Sequence, residues 1–143
     1  MKTSPQTGAS IDALEADYLY TGLSQLPGAG QGLFTAIALY TGETIAVFAG
    51  DVLSGAEATL RAAKGNDRYF ISLPDGSTLD SMYVACFAKY ANDAQGHSAS
   101  RFKNNARIVL DDNDAVCIQA LRNIKAAEEL FCGYGRRYWE RHG

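Results

Sequence analysis

Residues 127–135 of the chain read AEELFCGYG and place Tyr134 between two glycines. Because neither neighbour carries a side chain, this arrangement lets the backbone run close to another element. A phenol that is partly buried at such a point is able to orient and polarise a nucleophile. The same residues are also consistent with a buried aromatic cluster that closes a small core, so this segment alone leaves both interpretations open.

A glycine-rich segment, PGAGQG at residues 27–32, follows an apolar stretch that predicts a strand. The dinucleotide-binding pattern G-x-G-x-x-G fails here because its third glycine falls on Leu33, and no Gly-Lys-Ser/Thr sequence follows. The segment is therefore either a tight turn without a ligand or part of a nucleotide-binding α/β protein. The second alternative needs a helix directly after Gly32.

A polar pair, Asn92–Asp93, lies amid short apolar residues in the segment KYANDA at residues 89–94. Asn-Asp pairs usually form turns, because both side chains bond readily to the nearby backbone. Taken alone, the pair predicts only a turn.

Length and composition predict one compact globular domain. The chain has 143 residues, of which 47% are apolar and 20% are charged, so wholesale disorder is excluded. Lys and Arg number 13 and Asp and Glu number 16, which gives a net charge of −3. This balance argues against non-specific nucleic-acid binding, which needs a basic face, and is compatible with a basic protein partner.

The three cysteines Cys86, Cys117 and Cys132 are far apart and form no CxxC pair. This pattern predicts free thiols, with neither a structural zinc site nor a disulfide framework. The sequence also lacks a secretory signal and an apolar stretch of about 18 residues that would span a membrane. The expected localisation is therefore the nucleus or the cytoplasm.

The apolar pattern and the turn residues predict many short strands and one clear helix. Strands are expected at residues 18–24, 33–35, 44–52, 68–73, 77–80, 106–110, 115–121 and 129–131. Ser54 and Glu57 have the spacing of a capping box, which predicts a helix at residues 55–64 that ends before Gly65. Shorter helical turns are expected at residues 83–90 and 136–141. We expect residues 1–16 to be a flexible N-terminal leader and residues 17–143 to be a single domain.

The order of these segments resembles the SET domain of protein-lysine methyltransferases. From Tyr18 to Trp139 the matching segments are the glycine loop with GLFT, GETIAVFAGDVLS, RYFISLPDGSTLD, KYAND, NNARI and AEELFCGYG followed by YW. The match is to a minimal SET domain, without the zinc-binding flanks of many family members. The resemblance implies a mainly β (α+β) fold of the β-clip-like type, with short strands, small sheets and a C-terminal pseudoknot.

The resemblance further implies transfer of methyl groups from S-adenosyl-L-methionine to a lysine side chain of a protein substrate, such as a histone tail. It implies no metal, no direct nucleic-acid partner and no membrane. Tyr134 falls on the catalytic tyrosine of the family motif E-E-L-x-x-x-Y-G. Asn92 would hold the amino-acid moiety of the cofactor, and Trp139, with Tyr138 as second choice, would stack on its adenine. The expected cofactor-binding residues are Gly30, Gln31, Gly32, Asn92, Asp93, Tyr134 and Trp139.

Two departures from the family pattern bear on activity. Asp93 stands where the family has histidine, and the two side chains differ in charge and in donor capacity. Asn105 follows Asn92 by 13 positions, further than is usual in the family, so Asp93–Asn104 is interpreted as an enlarged loop. These departures keep open an alternative function, that of a catalytically weak or inactive SET-fold binding module.

A lysine of pKa about 10.4 must lose its proton before it attacks a methyl group. A dry channel with aromatic walls disfavours the ammonium form and lowers that pKa. The expected channel residues are Tyr69, Tyr90, Phe131 and Cys132, although each aromatic residue would also suit a core. The family often has Phe or Tyr at the position of Cys132, so the smaller side chain predicts di- or trimethylation.

Overall fold

The computed structural model describes residues 9–67, 69–94, 102–113 and 115–133. Within these ranges the chain forms ten short strands, two α-helices and one 3-10 helix. The strands are β1 Ala9–Ser10, β2 Leu19–Leu23, β3 Gln31–Thr35, β4 Glu43–Val47, β5 Asp51–Leu53, β6 Phe70–Ser72, β7 Thr78–Asp80, β8 Ala106–Leu110, β9 Val116–Ala120 and β10 Glu129–Leu130. The helices are α1 Glu15–Tyr18, α2 Gly55–Ala63 and the 3-10 helix Ala88–Tyr90.

These strands form three small sheets, with the orders β1-β4-β9-β8, β10-β3-β2 and β5-β7-β6. The strand pairs are antiparallel apart from β1 with β4, in which Ala9 lies opposite Glu43. Small antiparallel sheets with few helices confirm the predicted mainly β fold class. In the described ranges, no helix combines the length and the apolar character needed to cross a membrane.

The main core includes residues of all three sheets. Strand β9 runs between β4 and β8 and is buried along its whole length. Its Ile118 is fully buried in the same apolar cluster as Ile45 of β4, Leu33 of β3 and Leu130 of β10. The β-branched side chains of Ile45 and Ile118 pack well on a pleated surface, which favours strands at β4 and β9.

The C-terminal segment joins three parts of the fold. Strand β10 pairs with β3, so that Glu129 lies opposite Phe34 and Leu130 opposite Leu33. The next two residues form parallel bridges, Phe131 with Asn92 and Cys132 with Ala106. The segment therefore lies between the strand that follows the glycine-rich segment and the polar Asn-Asp pair, which positions the site described below.

Helix α2 begins as the sequence predicts. The Ser54 hydroxyl accepts a hydrogen bond from the backbone of Glu57 (3.2 Å), and the Ser54 N–H donates to the Glu57 carboxyl (2.8 Å), so the capping box is confirmed. These bonds hold the pKa of Glu57 below its ordinary value. After the helix, Gly65 adopts φ +77°, a conformation that ends helices and favours glycine.

Several observed strands differ from the predicted bounds, and for two of them the structure shows the cause. Residues 44–52 form two strands, β4 and β5, because the chain bends at Gly50 from the first sheet into the third. A side chain at Gly50 would overlap the backbone carbonyl of Asp80. The strand predicted at residues 18–24 begins one residue late, since Tyr18 ends helix α1.

The division into a leader at residues 1–16 and a domain at residues 17–143 stays a prediction. Within the predicted leader, β1 pairs with β4 and Ile11 packs against the main core. The helical turn predicted at residues 136–141 lies outside the described residues.

Candidate active site

A cavity of about 530 Å³ lies between the glycine-rich segment, strand β6 and the residues that follow the 3-10 helix. This volume falls within the range of sites that bind small molecules. The cavity is lined by Ala29, Gly30, Gln31, Phe48, Tyr69, Phe70, Ile71, Lys89, Tyr90, Ala91, Asn92 and Asp93.

One wall of the cavity is formed by Ala29–Gln31. These residues belong to the segment 24–32, which we call the glycine loop. Gly28 and Gly30 adopt φ +73° and +74°, and nothing lies within 4 Å of the Cβ that either would carry. Glycine is therefore required there by backbone conformation and not by lack of space. The Ser24 N–H donates to the Gly30 carbonyl (2.7 Å), which closes the loop and turns the backbone of Ala29–Gln31 toward the cavity.

Asn92 connects this loop to the C-terminal segment. Its side-chain amide donates to the Gln31 carbonyl (3.0 Å), and its backbone carbonyl accepts from the Cys132 N–H (2.9 Å). The carboxamide thus has a fixed orientation beside the cavity, and no group among the described residues donates to its oxygen, which can therefore accept a hydrogen bond from a ligand.

Asp93 lies next to Asn92 and is bonded to the far end of the predicted enlarged loop. Its Oδ1 accepts from the Asn104 side chain (3.0 Å), and the Asn104 oxygen accepts from the Ala94 N–H (2.8 Å). A Cβ on Gly133 would lie 3.4 Å from the Asn104 amide and 3.7 Å from Asp93 Oδ2. The pair therefore contacts the C-terminal segment one residue before Tyr134.

The aromatic wall of the cavity is organised around Lys89. Its ammonium nitrogen lies 5.5 Å from the centroid of the Tyr69 ring and 5.5 Å from that of the Tyr90 ring. The same nitrogen donates to the carbonyls of Ser81 and Val84, each at 3.1 Å. One cation therefore fixes two rings and a turn, by cation–π attraction and hydrogen bonding.

Asn105, the second asparagine of the sequence pattern, supports the C-terminal segment from behind. It is 1% exposed, its amide donates to the Glu129 carbonyl (2.9 Å) and its oxygen accepts from the Phe131 N–H (2.9 Å). These bonds complete the edge of β10, which pairs with only one strand of its sheet.

Six of the predicted site residues line the cavity, and three others of the described residues do not. The six are Gly30, Gln31, Asn92, Asp93, Tyr69 and Tyr90. Gly32 faces the Glu129 carboxyl, and Phe131 packs in a second apolar cluster with Leu26 and Ala94. Cys132 is fully buried in the main core. Tyr134, Tyr138 and Trp139 lie outside the described residues.

Two kinds of site residue are missed by reasoning from the sequence. Lys89 is a single lysine next to a tyrosine, and no motif connects it with its partners Ser81, Val84 and Tyr69. Phe48, Phe70 and Ile71 line the cavity from segments that the sequence predicts only as strands.

Comparison with known families identifies one match. The family model of the SET domain matches residues 30–135, which is more than half of the chain. The two segments that line the cavity are the glycine loop and the pair Asn92–Asp93. The pair lies within this range, and the glycine loop lies at its edge. Comparison with curated protein sequences gives no significant match.

Solved structures show the same similarity. The chain is 26% identical to ctPRC2 in an autoinhibited conformation bound to S-adenosylmethionine, with a TM-score of 0.68 over 85% of this chain and 15% of that chain. A humanised mutant of the Chaetomium thermophilum Polycomb Repressive Complex 2, bound to an inhibitor, is 26% identical, with a TM-score of 0.68 over 84% of this chain and 15% of that chain. The chain thus spans about 15% of the length of these structural relatives.

Proposed function

Because the chain belongs to the SET-domain family, we propose that it transfers methyl groups from S-adenosylmethionine to lysine side chains of a protein substrate. The observation that carries this proposal is the cavity between the glycine loop and Asn92–Asp93. Those are the two segments that the family resemblance assigns to the cofactor. A solved relative of similar fold is bound to S-adenosylmethionine, which supports the same assignment.

The residues of the cavity fit this cofactor chemically. The Asn92 carboxamide, the Asp93 carboxyl and the backbone of Ala29–Gln31 offer hydrogen-bond partners for an amino-acid moiety. The ring of Phe70 offers flat apolar surface for an adenine, and the rings of Tyr69 and Tyr90 remain the proposed walls of the lysine channel. When bound, S-adenosylmethionine supplies a methyl group on a positively charged sulfur.

The chain's own groups have three tasks in this proposal. Aromatic side chains exclude water, which disfavours the ammonium form of the target lysine. The Asn92 amide holds the glycine loop through Gln31, so that the backbone of the loop is ordered before the cofactor arrives. Tyr134, which the resemblance assigns as the catalytic tyrosine, would accept or donate a hydrogen bond at the reacting amine.

We propose a lysine-rich protein segment, such as a histone tail, as the substrate. The chain carries a net charge of −3, which favours encounter with a basic segment. Exposed carboxyl groups lie in turns at Asp75 and Asp112, and hydrogen bonds from Ser77 hold the pKa of Asp75 below its ordinary value, so that it stays ionised.

Calorimetric titration with S-adenosylmethionine, followed by radiolabelled methyl transfer, tests this function. Substrates are a histone mixture and a whole lysate, with mapping of methylated lysines by mass spectrometry. Tyr134→Phe should bind the cofactor and lose most turnover, whereas Tyr40→Phe, which changes a tyrosine that is 58% exposed, should keep both. Cofactor binding without transfer to any substrate would favour the binding module, and no cofactor binding would refute the proposal.

The number of methyl groups transferred is a separate point. This point rests on the family resemblance alone, because Cys132 lies in the main core and not among the residues that line the cavity. Since Cys132 is smaller than the aromatic residue that the family often has at this position, we propose di- or trimethylation. Mass spectrometry of product peptides over time checks this, and products limited to one methyl group contradict it.

A further inference from the structure

We infer that Glu129 is a positioning residue that holds the glycine loop in its cofactor-binding conformation; this inference rests on the proposed function. Glu129 lies in β10 and is 2% exposed, whereas its neighbour Glu128 is partly exposed and pairs with Arg122 (3.1 Å). Among the described residues, no ion pair includes Glu129. Burial of a carboxyl group is costly unless hydrogen bonds compensate it, so its bonds indicate its role.

Both carboxyl oxygens accept hydrogen bonds from the first limb of the glycine loop. Oε1 accepts from the Gln25 N–H (2.8 Å), and Oε2 accepts from the Ser24 hydroxyl (2.6 Å). The Ser24 oxygen in turn accepts from the Leu26 N–H (3.1 Å). Three consecutive residues are thus tied to one carboxyl group that lies more than 100 positions away in sequence.

The second limb of the loop lies against the same group. A Cβ on Gly32 would overlap Glu129 Oε2, and it would lie 3.2 Å from the Ser24 Cα on the first limb. The carboxyl group therefore stands where the two limbs approach each other. This contact explains why Gly32 is a glycine although it does not line the cavity.

The bonds of Glu129 are connected to the cavity by the loop itself. Ser24 is held by the carboxyl through its side chain, and its N–H closes the loop onto the Gly30 carbonyl. The next residue, Gln31, is bonded to Asn92, and Ala29–Gln31 line the cavity. Without the carboxyl, the loop would have to be ordered when the cofactor binds, which lowers affinity.

Two measurements on each variant test this role. Calorimetry gives the dissociation constant of S-adenosylmethionine, and thermal unfolding gives the melting temperature. Glu129→Ala should raise the dissociation constant about tenfold, which equals about 1.4 kcal/mol. Glu129→Gln should raise it less, because its oxygen still accepts from the Gln25 N–H. Glu128→Gln, the matched control on the neighbouring position, should leave it unchanged.

The outcomes separate this inference from the proposed function. No binding by the unmodified chain refutes the proposed function, whereas folded Glu129 variants with an unchanged dissociation constant overturn only the role of Glu129. A purely structural role would lower the melting temperature without changing affinity. If both Glu129 variants fail to fold, Ser24→Ala decides: a severalfold weaker affinity supports the inference, and an unchanged affinity overturns it.

Discussion

Replacing Lys89 with methionine is expected to destabilise the fold by about 2–3 kcal/mol, more than any other lysine replacement at a described position. The ammonium nitrogen donates to the carbonyls of Ser81 and Val84 at 3.1 Å and to that of Met82 at 3.4 Å. It also lies 5.5 Å from the rings of Tyr69 and Tyr90. Methionine has a similar length and keeps the apolar packing, so the change removes mainly the charge and the donors.

The magnitude follows from these contacts after allowance for solvent. A hydrogen bond to a charged group contributes about 1.5–3 kcal/mol when buried. Lys89 is only partly buried, so water replaces much of each bond and the three together contribute about 1–2 kcal/mol. Two cation–π contacts at about 0.5 kcal/mol each complete the estimate.

The assay is thermal unfolding followed by circular dichroism, in which this loss corresponds to a drop of roughly 6–12 °C for a chain of this size. Lys89→Arg keeps the charge and the ring contacts but not the three-way donor geometry, so its drop should be intermediate. Lys64→Met, at the exposed end of α2, serves as the control. Equal melting temperatures for Lys89→Met and Lys64→Met would refute the reasoning.

Three further predictions concern other parts of the fold. Burial raises the pKa of Tyr18 to about 12. About 2 kcal/mol of stability should therefore be present below pH 10 and lost as the pH rises through 12. Unfolding of Tyr18→Phe at several pH values should not show this loss. A thiol reagent should label only the partly exposed Cys86 in the native state, and labelling of all three thiols before unfolding would contradict the burial of Cys117 and Cys132. Ala127 has φ +74°, so Ala127→Gly should raise the free energy of unfolding by about 0.5–1 kcal/mol in urea, and a decrease would count against strain there.

Features with local causes can be predicted from the sequence. The capping box of α2 depends on Ser54 and Glu57 alone, and the predicted helix begins at the observed residue. The strand predicted at residues 44–52 is wrong in part because its interruption depends on a distant element. Gly50 must pass the backbone of Asp80, and nothing within the strand's own sequence reveals that contact.

At the candidate site, too, features with local causes can be predicted and features that depend on distant elements cannot. Asn92 and the glycine loop are recognisable because their motifs are short and contiguous. Phe131 and Cys132 are expected from the sequence to share one channel, but neighbouring residues of an extended segment point to opposite sides. Phe131 accordingly packs in the second cluster and Cys132 in the main core. Glu129 does not stand out in the sequence, because a glutamate pair does not show which member is buried.

The two departures from the family pattern, Asp93 and the long segment up to Asn104, are a single feature in the structure. The Asn104 amide needs an acceptor, and a carboxyl group offers two oxygens where a neutral imidazole offers one nitrogen. With its ends joined by this pair, a longer connection adds little cost, because loop-closure entropy grows slowly with length. Asp93 therefore closes the segment beside the cavity and against Gly133. A substitution with this structural reason does not by itself argue for lost catalysis, which weakens the case for a binding module.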